Sequence, residues 1–110
     1  MRLSKRHESE WLEDFSQYIH DNIGESFLSV DSIAAHFEIS RRHLYRKVKA
    51  LTDLTPHDYL NEVRFQTAYD YLEEGSFRTV AETAKAVGFA DTVYFARQFR
   101  ERFGMLPSEV

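Results

Sequence analysis

Arg42, Arg46 and Lys49 follow one another at intervals of four and three, and Val93, Arg97 and Arg100 repeat that spacing fifty-one positions later. On a helix turning about 100° per residue each set falls on one stripe. Tyr45 stands beside the first stripe and Ala96 beside the second. A guanidinium is a planar fork of donors, able to give two parallel hydrogen bonds to guanine O6 and N7 or to a phosphate. A lysine ammonium is a compact charge suited to phosphate. Val93 and Ala96 suit the thymine methyl group, or equally are small so that a helix can approach a groove. This is the chemistry of recognising a polyanion.

Catalytic chemistry has no comparable set, and no catalytic residue, metal or cofactor is expected. Cysteine is absent, which excludes thiolate zinc sites, thiol catalysis and disulfides. The histidines His7, His20, His36, His43 and His57 show no ligand spacing, and His36 and His43 fall on different expected helices. Glu73 and Glu74 lie at an expected helix end as solvated charges. No glycine-rich phosphate loop, Gly-x-Ser-x-Gly or His-Glu-x-x-His occurs.

The net charge of −4 argues against a non-specific nucleic-acid binder, but the charge is unevenly spread. Residues 41–50 carry Arg41, Arg42, Arg46, Lys47 and Lys49 and no acid, while residues 1–40 and 51–77 each sum to −5. A second basic cluster is Arg97, Arg100 and Arg102. With 110 residues the chain is one domain, or two very small ones sharing a core. No apolar run is long enough to span a bilayer and no signal peptide is visible, so a cytoplasmic location is expected.

Apolar periodicity and capping signals predict an all-α fold of about seven helices. Trp11, Phe15, Tyr18, Ile19 and Ile23 mark a helix over about 8–23, with Gly24 as its stop. Ser29 and Ser40 are expected N-caps, the second opening a helix with Leu44, Val48 and Leu51 inward. Thr55-Pro56-His57-Asp58 starts a long helix over about 56–74, with Leu60, Val63, Ala68, Tyr71 and Leu72 inward. Thr79-x-x-Glu82 reads as a capping box, and Asp91 caps a helix whose inner face is Phe95, Phe99 and Phe103.

Two stretches are alike. A shift of fifty places Val30 on Val80, Ala34 on Ala84 and Phe37 on Val87; a shift of fifty-one places Leu44 on Phe95, Arg46 on Arg97 and Val48 on Phe99. Each unit is a short helix, a tight turn and a second helix, the helix-turn-helix pattern. The units divide as subdomain 1 over about 8–55 (motif 30–51), a linker helix, and subdomain 2 over about 76–110 (motif 79–103). The cationic stripes lie opposite the apolar ones, as major-groove reading requires.

The strings Val87-Gly88-Phe89-Ala90-Asp91, Tyr94-Phe95-Ala96-Arg97-Gln98-Phe99-Arg100 and Phe103-Gly104 with Pro107 resemble the DNA-binding domain of the AraC/XylS family of bacterial transcription regulators. Leu44-Tyr45-Arg46-Lys47-Val48-Lys49 and Thr55-Pro56 carry the resemblance into the first unit. The stretch from Ser40 to Gly75 is similar to members fused to two-component signalling proteins. The resemblance implies two recognition helices in adjacent major grooves of an asymmetric duplex site. It implies base contacts by Arg42, Tyr45, Arg46, Thr92, Val93, Ala96 and Arg97. Arg41, Lys47, Lys49 and Arg100 are expected on phosphates, and Tyr94 either there or in the core. The resemblance further implies RNA polymerase and a sensor or receiver domain as partners, in a parent chain that is membrane-anchored if it is a hybrid sensor. The bland alternatives are a solvated basic helix face, an Arg97–Glu101 ion pair, and a helical protein-interaction module using the acidic segments. Departures from the family pattern are Thr83 at an apolar core position, Asp53 where glycine is common, and Leu106 before Pro107.

Overall fold

The computed structural model describes residues 2–110, with side chains from His7 onward. Six α-helices follow in order: α1 (Arg2–Asp21), α2 (Val30–His36), α3 (Arg41–Thr52), α4 (Pro56–Glu74), α5 (Val80–Ala86) and α6 (Thr92–Phe103). The expected seventh helix is a single 3₁₀ turn, Pro107–Glu109, and no strand occurs among the described residues. That turn lacks a side-chain cap from Leu106; instead the Leu106 N–H donates to Glu109 Oε1 at 2.6 Å.

The five expected caps all form. Ser29, Ser40, Thr55, Thr79 and Asp91 accept from the backbone N–H three residues on, at 3.0–3.1 Å. Each such bond satisfies a donor that the helix leaves open, at about 1 kcal/mol. The reciprocal box expected at Thr79 forms only in half, because the Glu82 carboxylate takes the Thr79 hydroxyl. The full box is at Ser29, whose N–H donates to Ser32 Oγ at 2.9 Å.

Two expectations for α1 need correction. The helix begins six residues before position 8 and ends at Asp21, where the Asn22 N–H is shared between Tyr18 O and Ile19 O. Gly24 is not its left-handed stop; a Cβ there would lie 2.8 Å from the Ala86 carbonyl oxygen, so close backbone approach requires the glycine.

The chain folds as two compact units, the first made of residues up to Asn22 with Phe27–Asn61, the second of Ile23–Ser26 with Glu62–Val110. The division falls inside α4 rather than at its ends. In the first unit Phe15, Ile19, Ile33, Leu44, Val48 and Leu60 are buried, with Trp11 stacked on Phe15 at 5.1 Å. In the second, Phe65, Ala68, Ala84, Val87, Phe95 and Phe99 are buried, with Phe65 parallel to Phe95 at 5.8 Å. Leu60 and Ala68 are inward as expected, but Val63, Tyr71 and Leu72 are only half-buried, and Phe65 was not anticipated. The reason is that α4 serves two cores in turn, so its apolar residues follow no single stripe.

Each unit holds one helix-turn-helix, and the two turns share one hydrogen-bond pattern. Glu38 N–H donates to Ala35 O and Ile39 N–H to Ala34 O; Gly88 N–H donates to Lys85 O and Phe89 N–H to Ala84 O. Both are Schellman closures around a left-handed residue, Glu38 at φ 56° and Gly88 at φ 96°. Thr83 is buried, and its hydroxyl is satisfied by the Thr79 carbonyl at 3.1 Å, so the polar substitution leaves no unmet donor in the core.

Candidate nucleic-acid interface

Burial fixes which way the second helix of each motif faces. In α3, Leu44 and Val48 are fully buried; in α6, Phe95 and Phe99 are. The opposite face of α3 exposes Arg42, Tyr45, Arg46 and Lys49, with Tyr45 48% accessible although aromatic. The opposite face of α6 exposes Val93, Tyr94, Arg97 and Arg100, with Ala96 half-buried among them. The structure thus places every residue of the two stripes on its unit's surface, away from that unit's core.

The cations are not equivalent. Among the described residues Arg42, Arg46, Arg97 and Arg100 form no ion pair, and the Arg97–Glu101 bridge is not made. Arg41 instead bonds Asp31 of α2 at 2.9 Å. The Lys47 ammonium lies over the Trp11 ring, 4.9 Å from its centroid. Lys49 Nζ donates to the carbonyl of Asp53 at 3.0 Å, closing the C-terminus of α3 where Asp53 is left-handed at φ 68°. Arg102, grouped by sequence with Arg97 and Arg100, turns to α4, pairing with Glu62 and covering the Phe65 ring at 4.6 Å.

Sequence reasoning missed the partners Asp31, Trp11 and Glu62. The signal was present for two of them. At about 100° per residue, Arg41 and Lys47 lie some 60° to either side of the buried Leu44 direction, not on the outward stripe. A basic block read by composition alone hides that difference.

Thr92 is half-buried as the first residue of α6 and lines a groove of about 500 Å³ beside Gly88 and Phe89. Tyr94 is 42% exposed, and its ring centroid lies 6.2 Å from that of Phe89 at a tilt of 45°, so the side chain is shared between solvent and the turn. Behind the turn, Arg64 is partly buried against the Phe89 face, and burial lowers its pKa below the ordinary guanidinium value. The histidines have local roles: His36 stacks on Tyr18 at 3.9 Å and His20 donates to the Ser16 carbonyl at 2.8 Å.

Two helix-turn-helix units, each offering cations on the exposed side of its second helix, define the class as a duplicated helix-turn-helix domain. The family described as a helix-turn-helix domain matches residues 33–110. The chain is 37% identical over 93 residues to the HTH-type transcriptional activator RhaS of Escherichia fergusonii, covering 84% of this chain and 33% of that protein. Among solved structures it is similar to the DNA-binding domain of AdpA, a global transcriptional factor in complex with a target DNA, at 30% identity and TM-score 0.80, over 89% of this chain and 86% of that one. It is also similar to the C-terminal domain of AraT, a response regulator from Geobacillus stearothermophilus, at 25% identity and TM-score 0.80, over 88% and 79%.

The chain belongs to the AraC-type helix-turn-helix family of transcription regulators. It spans about a third of the length of the curated relatives it matches. No helix of the described residues is long and apolar enough to cross a membrane.

Proposed function

We propose that this chain is the sequence-specific double-stranded DNA-binding domain of a bacterial transcription regulator, with α3 and α6 as recognition helices entering adjacent major grooves. The observation that carries the reading is the matched pair Arg46 and Arg97. They hold equivalent positions in two copies of one motif, opposite fully buried residues, and neither is engaged by a carboxylate among the described residues. Each guanidinium is thereby free to give a bidentate bond to guanine O6 and N7. Arg42, Tyr45, Thr92, Val93 and Ala96 complete the base-facing set. Arg100 and Lys49 hold phosphates and Tyr94 assists. Arg41 and Lys47 contribute only by leaving Asp31 and Trp11. The AdpA domain in complex with DNA, 30% identical to this chain, supports the reading. If both helices dock, half-sites one turn (about 34 Å) apart give a site on the order of 20 base pairs.

The exposed carboxylates of α1, Glu8, Glu10, Glu13, Asp14 and Asp21, repel a polyanion. That surface is left for proteins: RNA polymerase, and a sensor or receiver domain elsewhere in the full-length regulator, in the cytoplasm at the nucleoid. The domain itself performs no catalysis in this reading. A purely protein-binding helical module is the competing role for the same acidic surface.

Selection of bound duplexes from a random library, followed by band shift, tests the function. Arg97→Ala is expected to cost about 1–3 kcal/mol and relax preference at one base pair. Unchanged affinity and unchanged preference in that variant would sink the assignment, and the absence of any enriched site would favour the protein-binding role.

A further inference from the structure

Val93 is 74% accessible, more than any other large apolar side chain among the described residues. It contributes nothing to the core of its unit, and it precedes Arg97 by four residues on the same exposed stripe of α6. The duplication sharpens the contrast. Arg46 matches Arg97 and Lys49 matches Arg100, so two of three stripe positions keep their cation, while Arg42 is matched by Val93. At that one point the second unit presents a branched hydrocarbon where the first presents a fork of donors. Beside it, Ala96 replaces the bulky Tyr45.

The only apolar group on the floor of the major groove is the C5-methyl of thymine. We propose that Val93 is a specificity-determining residue that reads a thymine methyl group. Four residues of helix rise about 6 Å, against a base-pair step of about 3.4 Å. The thymine therefore lies one or two base pairs from the base contacted by Arg97. The two half-sites then differ in kind: the first is read by hydrogen bonds from two arginines, the second by one arginine and one methyl contact. Ala96 fits this arrangement, since a small side chain there lets α6 settle deep enough for Val93 to reach the base.

The inference rests on the DNA-binding reading above, and the test separates the two. The enriched site is fixed by selection with the unaltered protein. Each thymine of the second half-site is then replaced singly by deoxyuridine, which removes the methyl group and keeps the pairing. At one position, within two base pairs of the one that loses preference in Arg97→Ala, affinity is expected to fall about four-fold, the worth of one buried methyl. Val93→Ala, at an exposed position that cannot unsettle the core, is expected to bind the thymine and deoxyuridine duplexes equally. If the unaltered protein tolerates deoxyuridine everywhere, or Val93→Ala keeps the four-fold penalty, the proposal is overturned, while the loss of preference in Arg97→Ala leaves DNA reading intact. Failure to enrich any site overturns both.

Discussion

Glu38 and Gly88 hold the same place in two copies of one turn, fifty positions apart, and both adopt the left-handed backbone. Glycine does so freely, whereas a glutamate pays about 1–2 kcal/mol, partly offset by its lower freedom when unfolded. Glu38→Gly is expected to stabilise the first unit by about 0.5–1 kcal/mol. Gly88→Ala is expected to destabilise the second by about 2 kcal/mol or more, since the added Cβ would lie 2.8 Å from the Ile23 carbonyl oxygen as well as at φ 96°. Denaturant unfolding checks both, and a destabilised Glu38→Gly would contradict the strain argument.

Helix order, all five side-chain caps and the two outward faces were legible in the sequence, because each depends on local spacing. The caps at Ser29, Ser40, Thr55, Thr79 and Asp91 need only three-residue geometry. What was not legible depends on pairing across sequence distance. Phe65 escaped because α4 changes the core it serves partway along. The partnership of Arg102 with Glu62 escaped because forty positions separate them. Gly24 was misread because a glycine needed for close approach to Ala86 looks, in sequence, like one needed for a left-handed turn.

Lys47 rests on the ring of Trp11, the single tryptophan of the chain. Lys47→Met removes the cation and keeps the aliphatic stem. The expected result is a changed tryptophan emission with little change in the salt dependence of DNA affinity. Arg100→Ala gives the opposite pattern: unchanged emission, and a log–log salt slope shallower by about 0.9 for one lost phosphate contact. Equal slope changes in the two variants would show that Lys47 leaves Trp11 for the duplex.

Arg102 is held by Glu62 and by the face of Phe65. Because the pair is partly exposed, its worth comes mainly from the cation–aromatic contact and the packed stem. Arg102→Ala should lower stability by about 1 kcal/mol while leaving the selected base sequence unchanged. A shifted sequence preference would instead place Arg102 at the duplex.

Asp31 of α2 holds the Arg41 guanidinium in an ion pair at the start of α3. Their ion pair is open to solvent on both sides, at 69% and 72% side-chain exposure, so it adds little to folding. In the proposed DNA-binding role its larger effect is on the charge available to a phosphate. Asp31→Asn keeps the side-chain shape, removes one negative charge beside the basic face and releases the guanidinium. It costs a few tenths of a kcal/mol where an acid favours the first turn of α2. Affinity for all duplexes is expected to rise together, with a salt slope steeper by about 0.9 and no new base preference, because a phosphate contact carries no sequence information. Arg41→Ala should then do little in the unaltered protein but abolish the gain in the Asp31→Asn background. That non-additivity is the signature of a pair in which one partner restrains the other. An unchanged slope in Asp31→Asn would mean that Arg41, even when released, does not reach a phosphate.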